Sequence, residues 1–97
     1  MRYDIILSPE AVEDLGHLKA NERASVRDAL ETHLRHAPTK VSKSRIKRLR
    51  GLKRPQYRLR VDDIRVYYDA TETNVEILAI ISKADSADWL ARVGEEE

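Results

Sequence analysis

Hydrophobic positions along the chain change their period twice, and the two changes divide it into elements. Tyr3 to Leu7 is a short apolar run that predicts a first strand. Val12, Leu15 and Leu18 then recur at helical spacing. Ser8-Pro9-Glu10 ahead of them is a helix start: a serine cap, proline at the first helical position, and an acid near the positive helix end. Asn21 is placed to cap a second helix whose stripe is Val26, Ala29, Leu30, His33 and Leu34. The two helices form a hairpin ending near Pro38, because proline pushes the residue before it out of the helical region. Thr39 to Ser44 is a polar loop.

From Gln56 the period becomes two. Tyr57, Leu59 and Val61 alternate with Arg58 and Arg60, and Ile64, Val66 and Tyr68 alternate with Arg65 and Tyr67. Asp62-Asp63 between them predicts a tight turn, and Ala70 to Asn74 a second one. Val75 to Ile81 is a third strand, apolar enough to be central, and Ser82 to Val93 holds a short amphipathic helix with Trp89 and Leu90. The order β-α-α-β-β-β-α, helices followed by strands, indicates an α+β fold. Residues 1–97 are expected to form one small domain with a modest core.

A two-residue turn fixes the hairpin register. Val61 then lies opposite Ile64, Arg60 opposite Arg65, Leu59 opposite Val66 and Arg58 opposite Tyr67. One face carries Tyr57, Leu59, Val61, Ile64, Val66 and Tyr68 and reads as core. The other carries Arg58, Arg60, Arg65 and Tyr67. Directly opposed like charges destabilise a sheet by up to about 1 kcal/mol, so stability alone does not place Arg60 against Arg65. An anion between them removes the repulsion, and a neighbouring ring adds a surface on which a base can stack. The competing explanation is that Asp62, Asp63 or Asp69 pairs with these arginines.

Charge sharpens this picture. The net charge is only +1, yet Thr32 to Val61 holds eleven of the 18 Lys and Arg residues and no acid. Such a block suits a phosphate backbone, whose condensed counterions it displaces, although many basic runs are solvated loops. Arg45, Lys47, Arg48, Arg50, Lys53 and Arg54 are candidate nucleic-acid contacts within it, with Tyr67 as a stacking surface. The chain is 41% hydrophobic and 36% charged and lacks cysteine, which excludes disulfides, thiolate catalysis and Cys-type zinc sites and fits a reducing, cytoplasmic setting. No signal peptide is expected, and the longest apolar run, Ile77 to Ile81, cannot span a bilayer. His33 and His36 lie one helical turn apart without carboxylates at ligand spacing, so no metal and no cofactor is expected. The three scattered glycines form no phosphate loop. Trp89 on its apolar stripe reads as core before site. An enzyme built this way must work with Arg, Lys, Tyr or Trp. RNA cleavage by the substrate's own 2′-hydroxyl suits such a site, since the protein need only align the sugar and stabilise the phosphorane.

Four motifs together resemble a known family. They are Leu49-Arg50-Gly51, Tyr57-Arg58-Leu59-Arg60, Asp63-Ile64-Arg65-Val66-Tyr67-Tyr68 and Ile81-Ser82-Lys83-Ala84-Asp85. The chain resembles the RelE/ParE superfamily of toxins from toxin–antitoxin pairs over nearly its whole length, and more closely the RelE branch, whose members cut messenger RNA on the ribosome. ParE-branch members instead poison DNA gyrase. The resemblance implies an N-terminal strand joined to a three-stranded antiparallel meander, a helical hairpin and a short C-terminal helix. It implies basic catalytic residues at Arg58, Arg60, Arg65 and Lys83. Many members have lysine at the first two positions, one of them a candidate general base, and arginine does not deprotonate. Lys83 is then the one remaining candidate base. Where a tyrosine is common, this chain has Trp89, which can stack on a base but cannot transfer a proton as phenol does. The resemblance further implies a cognate antitoxin, with which a heterotetramer forms, and the ribosome with its mRNA as partners. Two other readings stand beside it: a gyrase inhibitor, and a non-toxic co-repressor acting with its antitoxin.

Overall fold

Ser8 ends one element and begins the next. In the computed structural model, which describes residues Met1–Glu97, β1 (Asp4–Leu7) passes through Ser8 directly into α1 (Pro9–His17). The Ser8 hydroxyl accepts from the Ala11 N–H at 3.0 Å and donates to the Leu78 carbonyl at 3.2 Å. The predicted cap therefore also fastens α1 to the sheet. Ala11 and Leu15 form the buried stripe of α1, whereas Val12 points outward. Leu15 and Leu18 keep to the expected inner face and only Val12 departs from it, with Ala11 buried instead, while Asp14 accepts from the Ile80 N–H at 3.0 Å.

The second helix, α2 (Ala20–Ala29), starts one residue before the Asn21 cap expected from sequence. Its first turn is closed by Glu22, whose carboxylate accepts from the Lys19 N–H at 3.0 Å. The helix runs on through a π-helical turn at Leu30–Leu34. The wider turn lets both Leu30 and Leu34 face the core beside Val26 and Ala29.

The main sheet has five strands, in the order β1, β6 (Asn74–Ser82), β5 (Ile64–Ala70), β4 (Tyr57–Val61) and β2 (Ile46–Arg48). Its centre is the expected meander of β4, β5 and β6, with β1 parallel to β6 at one edge. β2 pairs with β4 at the other edge. The β4–β5 register is the predicted one, Val61↔Ile64 through Tyr57↔Tyr68. Asp62 adopts φ 53°, the left-handed value that primed two-residue turns require and that aspartate tolerates. In β6 the pairing jumps from Tyr67↔Ala79 to Tyr68↔Ile77, which makes Leu78 the extra residue of a bulge. Ser8, which caps α1, and Asp14 within it bind backbone groups at and beside this bulge.

Helices α1 and α2 cover one face of the sheet, over a core that includes Leu59, Val66, Tyr68 and Ile77. α3 (Lys83–Val93) covers part of the other, packing on β5 and β6. Two further short strands, β3 (Leu52–Arg54) and β7 (Glu95–Glu96), pair outside the main sheet. The basic block thus contains two strands that its polar sequence conceals, and the acidic tail folds back onto one of them. Gly94 permits the return: a Cβ there would lie 2.5 Å from the Leu90 carbonyl oxygen. No helix is long and apolar enough to cross a membrane.

Tyr68 joins the helical hairpin to the sheet. Its ring stacks on Tyr57, and its hydroxyl donates to the Pro38 carbonyl at 2.6 Å. Burial pushes the Tyr68 phenol far above its ordinary value. Tyr68→Phe keeps the ring but leaves the Pro38 carbonyl without its donor. The expected loss is about 1–3 kcal/mol by urea unfolding with an unchanged m-value.

Candidate nucleic-acid interface

The hairpin places Arg58, Arg60 and Arg65 on the face opposite α1 and α2. Arg60 is the direct partner of Arg65, and Arg58 that of Tyr67. β2 widens the array by setting Lys47 opposite Arg58, and the Arg45 carbonyl accepts from the Arg60 N–H at 2.8 Å. Since the Arg60 amide points to β2, the Arg60–Arg65 pair is the non-hydrogen-bonded kind. In such a pair the side chains lie close, with Cβ atoms about 4.5–5.5 Å apart. Arg45 and Arg60 line a concavity of about 270 Å³ together with Ser44 and Asp62.

No carboxylate neutralises this cluster. The two ion pairs of the chain are Arg35–Glu31 and Arg54–Asp69, the latter at 3.1 Å. Asp69, one of the carboxylates weighed as a partner for the hairpin arginines, is taken up by Arg54 and by the Gln56 N–H at 2.8 Å. Burial raises its carboxyl above the usual range despite those two partners. Arg58 shows the cost of leaving the cluster uncompensated. Its Nε is buried without any hydrogen-bond partner. Burial first, and then the charges of Arg65 and Arg60, hold its guanidinium below the ordinary arginine value.

Several expectations for this face need correction. Arg65 is 7% exposed, not a free surface charge. Its Nη1 donates to the carbonyls of Asp62 at 2.7 Å and Ile64 at 3.1 Å, so it also holds the turn. Tyr67 is 3% exposed, and Trp89 stacks on it at 5.1 Å with 23° between the rings. Its ring is therefore not open to a base. The cause is α3: a face taken as solvent-exposed is partly roofed by that helix. Trp89 is half-buried, neither wholly core nor free, with its remaining surface beside Arg54, Pro55 and Leu78.

The other candidates separate by environment. Arg48 is occupied structurally, donating to the carbonyls of Leu49 and Gln56 at 2.9 Å each and lying over the Tyr57 ring. Arg54 is held by Asp69. Arg50 and Lys53 are exposed on and after the loop that follows β2, at a distance in sequence from the hairpin but close to Leu90 in the case of Arg50. Lys83 is exposed in the first turn of α3, which the Ser82 hydroxyl caps by accepting from the Asp85 N–H at 3.2 Å. Its own N–H donates to the Asp63 carbonyl at 2.7 Å, which keeps it beside the hairpin turn. The fold thus gathers Lys47, Arg58, Arg60, Arg65 and Lys83 around one hairpin, and assigns Arg48 and Arg54 to support. The histidines lie elsewhere: His33 is in a small concavity beside Arg45, its pKa lowered by burial, and His36 Nδ1 lies 3.3 Å from the Met1 carbonyl. Nothing in the sequence spacing indicated that Trp89 would lie on Tyr67, since the contact joins a strand to a helix on the far side of β6.

This arrangement can bind phosphate and hold extra negative charge on it. It offers permanently charged donors and no imidazole. Residues 5–87 match the family described as ParE toxin of type II toxin-antitoxin system, parDE. No curated protein sequence matches. Among solved structures, the toxin-antitoxin complex RelBE2 from Mycobacterium tuberculosis is similar at TM-score 0.70 and 24% identity, over 84% of this chain and 99% of that one. The RelB-RelE antitoxin-toxin complex from Methanococcus jannaschii aligns at TM-score 0.68 and 18% identity, covering 87% and 96%. The YoeB dimer from Staphylococcus aureus aligns at 0.64 and 17%, covering 84% and 97%.

Proposed function

Because the chain belongs to the ParE toxin family of type II toxin-antitoxin systems, within the RelE/ParE superfamily, we propose that its toxic action is cleavage of messenger RNA on the ribosome. The observation that carries this reading is the uncompensated arginine cluster. Arg60 faces Arg65, Arg58 has a buried Nε without a partner, and no carboxylate forms an ion pair with any of them. A protein does not gain stability from such a grouping. An RNA phosphate placed there would supply the missing acceptors and cancel the repulsion.

In this reading the nucleophile is the RNA's own 2′-hydroxyl. Arg58 and Arg60 hold the scissile phosphate and stabilise the additional charge of the phosphorane. Arg65, fixed by the turn carbonyls, adds field to the same point without needing to move. Lys47 and Arg45 extend the contact along the backbone, and Lys83 is the candidate base. Protein charges fixed beforehand are effective because they need no reorganisation as charge develops. Ribosomal RNA geometry would supply the alignment that a small open face lacks.

The partner implied by family membership is an antitoxin, as in the complexes from M. tuberculosis and M. jannaschii. A segment that covers the hairpin face or displaces α3 would disarm the site, and a heterotetramer is the expected assembly. A gyrase-inhibiting action is the second reading. It is favoured by the ParE description of the matched family and by the replacement of a phenol with Trp89. Induction of the chain alone, with separate readouts of translation and plasmid supercoiling, distinguishes the two. The expected result is arrest of translation with mRNA cut at programmed ribosomes in a purified system. Loss of supercoiling with intact mRNA would overturn the ribonuclease reading, and growth without either effect would favour a co-repressor.

A further inference from the structure

Resting on the ribonuclease reading, we propose that Tyr67 is a catalytic residue, its hydroxyl giving the proton to the departing 5′-oxygen. The assignment comes from where the fold puts that hydroxyl. Tyr67 is the cross-strand partner of Arg58 and lies two residues from Arg65 on the same face of β5. Of the groups acting on Arg58, Tyr67 is the one whose charge, when ionised, favours the guanidinium. The ring is immobilised between the sheet and Trp89.

The hydroxyl itself is left free. Tyr68, the adjacent phenol, donates to a carbonyl, whereas Tyr67 makes no hydrogen bond within the protein. Nor is it sealed off, because Arg58 Nε is the one side-chain polar atom both buried and unpartnered. A ring that is almost wholly covered, and whose hydroxyl opposite Arg58 has no partner within the protein, is held for that hydroxyl, not for stacking. Trp89 thereby acquires a positioning role: it fixes the phenol that it cannot itself replace.

The 2′-oxygen bonds to phosphorus and gives its proton to Lys83, the candidate base, which passes it to solvent. The bond from phosphorus to the 5′-oxygen breaks, and that oxygen takes the Tyr67 proton. The products are a 2′,3′-cyclic phosphate and a 5′-hydroxyl, and the phenolate recovers a proton from solvent.

Tyr67→Phe tests this cleanly, since phenylalanine keeps the stack on Trp89 and loses no internal hydrogen bond. Its melting temperature should match that of the parent chain. Cleavage of mRNA on the ribosome should slow about 100-fold or more, within the usual range for general acid catalysis. The deciding measurement uses mRNA in which the scissile 5′-oxygen is replaced by sulfur, a leaving group that needs no proton. On that substrate Tyr67→Phe should cut at close to the parent rate. Equal slowing on both substrates, or no slowing on the oxygen substrate, overturns the assignment. A parent chain that cuts neither substrate refutes the ribonuclease reading itself, and the Tyr67 role with it.

Discussion

Replacing Arg58 and Arg60 together by glutamine is expected to abolish growth arrest while leaving the protein as stable as before, or more so. The two effects have opposite sign because they come from the same repulsion. In the free protein, Arg60 faces Arg65 and Arg58 keeps a buried Nε without a partner. Removing two charges relieves like-charge contacts worth up to about 1 kcal/mol per cross-strand pair. On the proposed ribonuclease reading, the same two guanidinia would be the donors for the scissile phosphate. Loss of a single preorganised donor to a developing oxyanion commonly costs about 10²–10³ in rate, and two are removed here. Cleavage at programmed ribosomes and urea unfolding of the same preparation would show both effects. A double variant that cuts normally would place the reaction elsewhere, and one that unfolds would mean the arginines are structural. Arg65→Ala is the less informative change. Its guanidinium holds the Asp62 and Ile64 carbonyls, so lost activity would not separate chemistry from a disordered turn.

The second large effect is on stability. Trp89→Ala should cost about 2–4 kcal/mol, toward the lower part of the range for large aromatic truncations because the indole is only half-buried. For a domain of this size that corresponds to a fall of roughly 10–25 °C in Tm. Two losses combine. The stack on Tyr67 disappears, and the Tyr67 ring, now 3% exposed, is opened to water. Trp89→Phe should recover most of the stability, since a smaller ring can still cover Tyr67. Thermal melts of the two variants are the check. A Trp89→Ala protein that melts with the parent would mean that α3 is held by other contacts, such as the return of β7 onto β3.

Much of the architecture was legible along the chain because its local signals agree with the tertiary outcome. The Ser8-Pro9 start of α1 forms as the cap rules require. Alternation about Asp62-Asp63 set not only β4 and β5 but their residue-by-residue pairing, since a slip by one would have turned Leu59 and Val66 to the wrong face. The site's charges were legible for the same reason: once the register is known, Arg58, Arg60 and Arg65 must share a face.

What the pattern could not decide was what lies over that face. Period two separates two sides of a strand without saying that both are covered, and α3, a helix distant in sequence, roofs one of them. That one packing event buries Arg65, sets Trp89 on Tyr67 and turns a presumed stacking ring into a fixed phenol. The short strands β2, β3 and β7 were hidden because three residues or fewer give no measurable period, and their pairing is supplied by neighbours. Partner choice among charges was equally beyond the sequence. Asp69 is only four residues from Arg65, yet on the folded sheet its carboxylate reaches Arg54 instead. The sequence by itself determined which charges stand together on the hairpin. Only the tertiary structure decided that they stay unneutralised, because that depends on where every carboxylate of the chain comes to rest.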